Sequence, residues 1–232
     1  MTAPRPQPLV LLDLDGTLTD SAPGITRSVR AAFTDLGLPQ PSADGIRTFV
    51  GPPLPISMRA HGVPEDRVVE AIAAYRTEFE AGGMWESHPF PGIEEQLRTL
   101  RGAGCTLAIA TSKPEMYARP ICARWGLDAL VDGVYGAPLD HVPSTKATVI
   151  AHALEELGER VPPVEQIVMV GDRHHDVEGA AEHGIACLGV AWGYGEPGEL
   201  DDAVAIVPEV AGLTESVLDL LGLRALPTVR GA

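Results

Sequence analysis

The run Leu9-Val10-Leu11-Leu12-Asp13-Leu14-Asp15-Gly16-Thr17-Leu18 stands near the start of the chain. Four consecutive apolar residues suit a short strand buried on both faces of a parallel sheet. Two carboxylates follow at once, where that strand must stop. The same grammar recurs downstream. Apolar strands are expected at Thr106–Ala110, Val134–Tyr135, Ile167–Val170 and Ala186–Val190, separated by helical patterns at Glu115–Trp125, Ala147–Leu157 and Val177–His183. Strands alternating with helices predict an α/β fold built on a doubly wound parallel sheet. A helix to about Leu100 follows Pro91-Gly92, and a last helix is expected to carry Val210, Leu213, Val217, Leu220 and Leu221 on one face.

The segment from 20 to 85 breaks this alternation. Pro23 opens a helical pattern capped by Ser21 and running to about Leu36. Val68, Val69, Ile72, Arg76 and Phe79 recur at helical spacing, with the arginine at the edge of that face. Turns are expected at Gly37-Leu38-Pro39 and Gly51-Pro52-Pro53. We therefore expect a core of residues 1–19 and 86–232, with a small all-helical cap domain, 20–85, inserted after the first strand.

The 232 residues include 32 acidic and 17 basic side chains, a formal net charge of −15. Such a surface repels polyanions, so neither nucleic acid nor a membrane is an expected partner. Any site for a phosphorylated molecule must be built locally. Cys105, Cys122 and Cys187 are odd in number and lack metal or redox spacing, which fits a reduced, cytoplasmic setting. No apolar stretch is long enough for a membrane span. Whether the chain is a monomer or a dimer cannot be read from it.

Polar clusters fall close to the expected strand ends: Asp13-Leu14-Asp15-Gly16-Thr17, Thr111-Ser112-Lys113 and Gly171-Asp172-Arg173-His174-His175-Asp176. Lys146 joins them at a helix start. Ligands of open α/β sheets bind beyond the carboxyl ends of the strands, so these clusters are expected to share one site. Asp13, Asp15 and Asp172 brought together would repel one another unless a cation intervened, and Mg²⁺ takes such oxygen ligands. The Thr111 hydroxyl and the backbone N–H groups after it, Ser112 included, suit phosphate oxygens, although a helix cap would use Thr111 equally well. A lysine in a first helical turn opposes the macrodipole, so Lys146 calls for an anion. Lys113 is a rival for that role, but Pro114 after it reads as a helix start. Adjacent His174 and His175 are expected to diverge and not to share a metal. A phosphate-binding loop of the GxxxxGK[ST] type and a GxSxG nucleophile elbow are both absent.

With these motifs in this order, the chain resembles the haloacid dehalogenase superfamily, in its phosphatase branch with a helical cap. Asp13-Leu14-Asp15-Gly16-Thr17-Leu18, Gly51-Pro52-Pro53-Leu54, Pro91-Gly92 and Gly171-Asp172 are most similar to the phosphoglycolate phosphatase-like group. The resemblance implies Mg²⁺-dependent hydrolysis of a small phosphorylated metabolite. Asp13 would be the nucleophile, and Asp15 the acid that protonates the leaving alkoxide and then activates water. Thr111, Ser112 and Lys146 would hold the phosphoryl group. Asp13, Asp15 through its backbone carbonyl, and Asp172 would bind the metal, with Asp176 orienting them. In that group the motif lysine is often followed by proline. Here Lys146 precedes Ala147-Thr148, a pattern closer to nucleotidase-like relatives.

A 5'-nucleotidase-like activity and a phosphomutase of the same fold remain as alternatives. A dehalogenase is opposed by Asp15, since an ester-protonating acid has no task in displacing halide, and a non-catalytic module is opposed by retention of every motif. Substrate choice is expected from the inserted segment. Arg47, Leu54 and Arg59 around the Gly51-Pro52-Pro53 turn are the candidates, the arginines because guanidinium suits carboxylate or phosphate.

Overall fold

The computed structural model describes residues 6–139 and 144–223. Strand β1, Leu9–Leu12, is fully buried. It pairs in parallel with β4, Thr106–Pro114, on one side and with β6, Ile167–Gly171, on the other. Beyond β4 lies β5, Gly133–Ala137. Beyond β6 lie β7, Ala186–Val190, and β8, Ala205–Val207, giving the order β5-β4-β1-β6-β7-β8. The chain winds outward from β1 in one direction and then returns to wind the other way. The switch point therefore falls beside β1, where the carboxyl ends of β4, β1 and β6 leave a crevice.

Successive β1 side chains enter opposite layers, as strand geometry requires. Val10 and Leu12 pack with Ile93, Leu97 and Leu100 of α4, Ile93–Gly102, and with Leu213 and Val217 of α8, Leu213–Leu220. Leu9 and Leu11 pack with Val149, Ile150 and Ala153 of α6, Lys146–Leu157, and with Val177 and Ala180 of α7, His174–Ala181. Helix α5, Glu115–Arg124, joins the first layer through Ala118 and Cys122. The three cysteines are free and buried, and no described helix is long and apolar enough to cross a membrane.

Between β1 and α4 the chain adds no strand to this sheet. A two-residue hairpin of β2, Thr19–Asp20, and β3, His88–Pro89, brackets three helices: α1, Ala22–Asp35; α2, Leu54–Ala60; and α3, Val68–Ala81. These helices build an apolar cluster of their own around Ile25, Phe33, Phe49, Met58, Ile72 and Phe79. Tyr117 and Ile121 of α5 complete it from the sheet side.

Several expectations change in detail. Ser21 stands at the α1 cap position but makes no side-chain cap; the Asp20 carboxylate accepts the Ala22 N–H instead, at 3.3 Å. Val69 is exposed, and Ala71 and Tyr75 occupy the inward face of α3 with Val68, Ile72 and Phe79. Leu220 likewise faces solvent, and Val210 sits in a 3₁₀ turn before α8. Strand β4 does not stop at Ala110: it runs on to Pro114, with an irregularity after Thr111. The hairpin and β8 left too weak an apolar signal to be read, since each is two or three residues long and Ala205 and Ile206 of β8 are exposed.

Candidate active site

Asp13 follows β1 directly, and its N–H continues the ladder by donating to Val170 O of β6 at 2.9 Å. The residue is 4% exposed. The Lys146 ammonium, at the first position of α6, lies 2.6 Å from Asp13 Oδ1, 2.7 Å from Asp176 Oδ1 and 3.0 Å from Ala110 O. Thr145 and Thr148 cap that helix start reciprocally, so the lysine does not contribute to capping and its side chain is free to run inward. Its burial disposes of a solvated surface role.

Asp13, Asp172 and Asp176 are all buried, and one carboxylate oxygen from each lies within 4.8 Å of the others. Burial pushes the Asp13 carboxyl up to about 6 against the pull of Lys146, with Asp176 and Asp15 adding repulsion. Burial, then Asp176 and Asp13, raise Asp172 well above the carboxylate range. For Lys146, burial opposes the charge, but Asp13 and Asp176 outweigh it and raise its pKa. One ammonium thus serves a site of three carboxylates, an arrangement that disfavours ionisation of all three unless a further cation enters. The donors are all hard oxygens, with no sulfur or imidazole among them. That set fits Mg²⁺ better than zinc or copper. Asp176, expected to orient the ligands, brings its own carboxylate to the cluster, with Oδ1 2.7 Å from Lys146 Nζ and Oδ2 accepting the Arg173 N–H at 3.1 Å.

The backbone is shaped around this trio. Gly16 has φ +88°, and a Cβ there would lie 2.3 Å from Asp172 Oδ2. Thr17 Oγ1 donates to Asp172 Oδ1 at 3.2 Å, and the Tyr194 N–H donates to Asp172 Oδ2 at 2.8 Å. Gly16→Ala combines a left-handed backbone conformation, costing about 1–2 kcal/mol in an L-residue, with displacement of the Asp172 carboxylate. We expect urea unfolding to show a loss of at least about 1 kcal/mol. Unchanged stability would mean that the loop has room the geometry denies.

Asp15 is held apart from the trio. Its Oδ2 accepts from Lys113 Nζ at 2.6 Å, and its Oδ1 is buried with no hydrogen-bond partner among the described residues. Lys113, read from sequence as marking a helix start, is therefore a buried residue of the site, and its ammonium also lies 5.2 Å from the centroid of the Phe79 ring. Pro114 does precede α5, but the extension of β4 carries Lys113 inward before that helix begins. Thr111 is 1% exposed and accepts the Lys113 N–H at 3.2 Å, so it caps no helix.

Ser112 and Leu54 line a pocket with Asp15, Lys113, Tyr75 and Arg76. Arg47 and Arg59 do not. Both are exposed, and the Arg59 guanidinium is forked onto Glu65 at 2.6 and 2.7 Å. Arg76, seen from sequence only as an awkward charge on an apolar face, takes the pocket position instead.

Arg173, unassigned by sequence, forks onto Glu199 at 2.7 and 3.0 Å and donates to Val50 O at 2.6 Å. It thereby ties the turn after β6 to the loop preceding α2. His174 Nδ1 lies 2.9 Å from the same Glu199. The His174 and His175 rings do not diverge; their centroids are 3.9 Å apart. Neither joins the acidic trio.

Residues 10–190 match the family model for haloacid dehalogenase-like hydrolases. The chain is 43% identical over 215 residues to the tyrosine-protein kinase PtkA of Mycobacterium tuberculosis, covering 93% of this chain and 72% of that protein. It is 42% identical over 194 residues to a 5'-nucleotidase of Pseudomonas aeruginosa, covering 83% and 86%. A phosphoglycolate phosphatase of Pseudomonas syringae pv. tomato is 29% identical over 233 residues, covering 96% and 84%. The crystal structure of a predicted phosphatase from Clostridium acetobutylicum superposes with a TM-score of 0.85 at 38% identity, covering 92% of this chain and 99% of that one.

Proposed function

The chain belongs to the haloacid dehalogenase-like hydrolase family, and on that premise we propose that it is a Mg²⁺-dependent phosphomonoesterase acting on a small phosphorylated metabolite in the cytoplasm. The observation that carries this reading is Asp15 Oδ1, a buried carboxylate oxygen without a partner among the described residues, on a residue that lines the pocket two positions after Asp13. A buried acceptor left unpaired is costly. It finds a partner once it shares a proton with the oxygen of a phosphate ester.

The steps follow from the chain's own groups. Asp13 Oδ1 is occupied by Lys146, so Oδ2 attacks phosphorus. The bond from phosphorus to the ester oxygen breaks, and Asp15 passes a proton to that oxygen as the alcohol leaves. Asp15, now ionised, takes a proton from water, whose oxygen attacks the phosphorus of phospho-Asp13. The phosphorus–Oδ2 bond breaks, releasing phosphate and restoring both carboxyl groups. A carboxylate nucleophile so divides one difficult displacement into two. Lys146, the Thr111 hydroxyl and the Ser112 backbone hold the phosphoryl oxygens, since positioning and charge neutralisation dominate this chemistry. Mg²⁺, when bound by Asp13, Asp172 and Asp176 with the Asp15 carbonyl, supplies further neutralisation of phosphoryl charge. Residues 20–85 act as the cap that excludes water from the first step.

The substrate is a phosphoglycolate-like ester or a nucleoside monophosphate. The 5'-nucleotidase relative and the Ala147-Thr148 sequence after Lys146 point to the second, whereas the cationic lining of the pocket, Arg76 and Lys113, suits the carboxylate of the first. The PtkA relative supports one other reading, in which a hydroxyl replaces water as acceptor of the phosphoryl group, as it also would in a mutase. A panel of phosphoglycolate, nucleoside monophosphates and sugar phosphates separates these readings. We expect phosphate release that stops in excess EDTA and returns with Mg²⁺. Full activity after dialysis against chelator would refute the metal assignment. Labelled phosphate passed to an added hydroxyl acceptor, without release, would replace hydrolase by transferase.

A further inference from the structure

The pocket between α3 and β4 holds two cationic side chains. Lys113 is committed to Asp15, 2.6 Å away. Arg76 meets no acid among the described residues. Its Nη2 donates to Leu139 O at 3.3 Å, and among the described residues it makes no ion pair. The chain carries 32 acidic residues against 17 basic ones. Arg27, Arg59, Arg67, Arg98, Arg119 and Arg173 each reach a glutamate. Arg30, Arg47, Arg101, Arg124 and Arg160 form no ion pair either among the described residues, but they are exposed, whereas Arg76 is half-buried and lines a pocket.

Tyr75 stands beside it. The residue is 5% exposed, yet its hydroxyl makes no hydrogen bond among the described residues. Phe49, Phe79 and Leu54 line the same pocket and offer no polar group. Arg76 and Tyr75 thus bring two hydrogen-bond donors to one pocket, which Asp15 also lines. Apolar walls strengthen whatever charge-assisted bond forms there. Asp15, at the same pocket, fixes where the ester oxygen of a substrate would stand, so the group meeting Arg76 belongs to the leaving alcohol.

We propose that Arg76, with the Tyr75 hydroxyl, forms a subsite for an anionic group on the leaving alcohol, a carboxylate or a second phosphate, and so selects phosphomonoesters of anionic alcohols over neutral ones. This rests on the reading of Asp13 and Asp15 as the phosphoryl site. Guanidinium presents a planar fork to such oxyanions, which an ammonium cannot match. Neutral alcohols of the same size leave the fork unpaired in the pocket. Arg47 and Arg59 point to no such role, being outside the pocket.

The test compares 2-phosphoglycolate with ethyl phosphate, which share the ester and differ by the carboxylate. Binding is measured by calorimetry with Mg²⁺ on Asp13→Asn protein, alone and with Arg76→Gln, Arg76→Lys or Tyr75→Phe added. No turnover is needed, so a parent protein that releases no phosphate counts against the proposed hydrolysis alone. Arg76→Gln is expected to weaken phosphoglycolate binding about ten- to hundredfold, and ethyl phosphate by less than about threefold. Arg76→Lys is expected to fall between, which guards against a variant that simply misfolds. Tyr75→Phe should lose less than Arg76→Gln, again on phosphoglycolate only. Equal losses on both esters would assign Arg76 to holding Leu139. No preference for phosphoglycolate in Asp13→Asn protein, or no binding of either ester, would overturn the subsite.

Discussion

Asp13→Asn is expected to abolish turnover while leaving the fold intact. The amide is nearly isosteric with the carboxylate but is a poor nucleophile toward phosphorus. We expect kcat to fall at least about a thousandfold, roughly 4 kcal/mol in barrier. The fold should tolerate the change, because Lys146 keeps its contacts with Asp176, at 2.7 Å, and Ala110 O, at 3.0 Å. In chelator the variant should be no less stable than the parent. Burial and neighbouring carboxylates already push the Asp13 carboxyl up to about 6, so removing its charge relieves repulsion. Unfolding in urea with EDTA checks this. Retention of more than about a tenth of the parental kcat, a loss below about 1.4 kcal/mol, would remove Asp13 from the nucleophile's role.

Lys146→Met should cost both stability and activity. Lys146 is 4% exposed and is the ammonium shared by Asp13 and Asp176. Removing one partner of a buried ion pair costs about 3–5 kcal/mol, because the other charge is left uncompensated. A large share of a typical domain's stability would go with it. Added Mg²⁺ should restore part of the loss, since it neutralises the same carboxylates. It should not restore kcat, which is expected to fall about 10²- to 10³-fold for loss of a preorganised phosphoryl contact. Lys113→Met should lose less kcat/KM, because Lys113 reaches Asp15 and not the attacking carboxylate. Wild-type unfolding free energy in Lys146→Met, measured in chelator, would contradict the ion-pair account.

The two lysines also show how far the sequence could be read. Lys146 was legible because a cation at a helix start conflicts with the macrodipole, and a local conflict invites a local explanation. Lys113 was not, because Pro114 gives a true helix signal one residue later and says nothing of where the preceding side chain goes. The strands were legible as apolar runs; Leu9–Leu12, Ile167–Val170 and Ala186–Val190 lie where expected. Apolar runs do not report register, however. Register is what brings Asp172 to Asp13, by pairing Leu12 with Val170. The pocket arginine was missed for a similar reason. Nearness to a turn in sequence points to Arg47 and Arg59, whereas Arg76 reaches the pocket through the packing of α3 against α5, seen in the Phe79–Tyr117 ring contact. Arg173 carries no local signal at all. Its partners, Val50 and Glu199, are 123 and 26 residues away.

The central claim is that phosphate passes through Asp13, and an acyl phosphate can be trapped. Protein mixed with a phosphomonoester and Mg²⁺, quenched in acid and treated with borohydride, would have a phosphorylated aspartate reduced to homoserine. Peptide mass spectrometry should then find homoserine at position 13 in the parent and none in Asp13→Asn. Phosphate release from the parent with no reduction product, or with one at a carboxylate other than Asp13, would contradict the account.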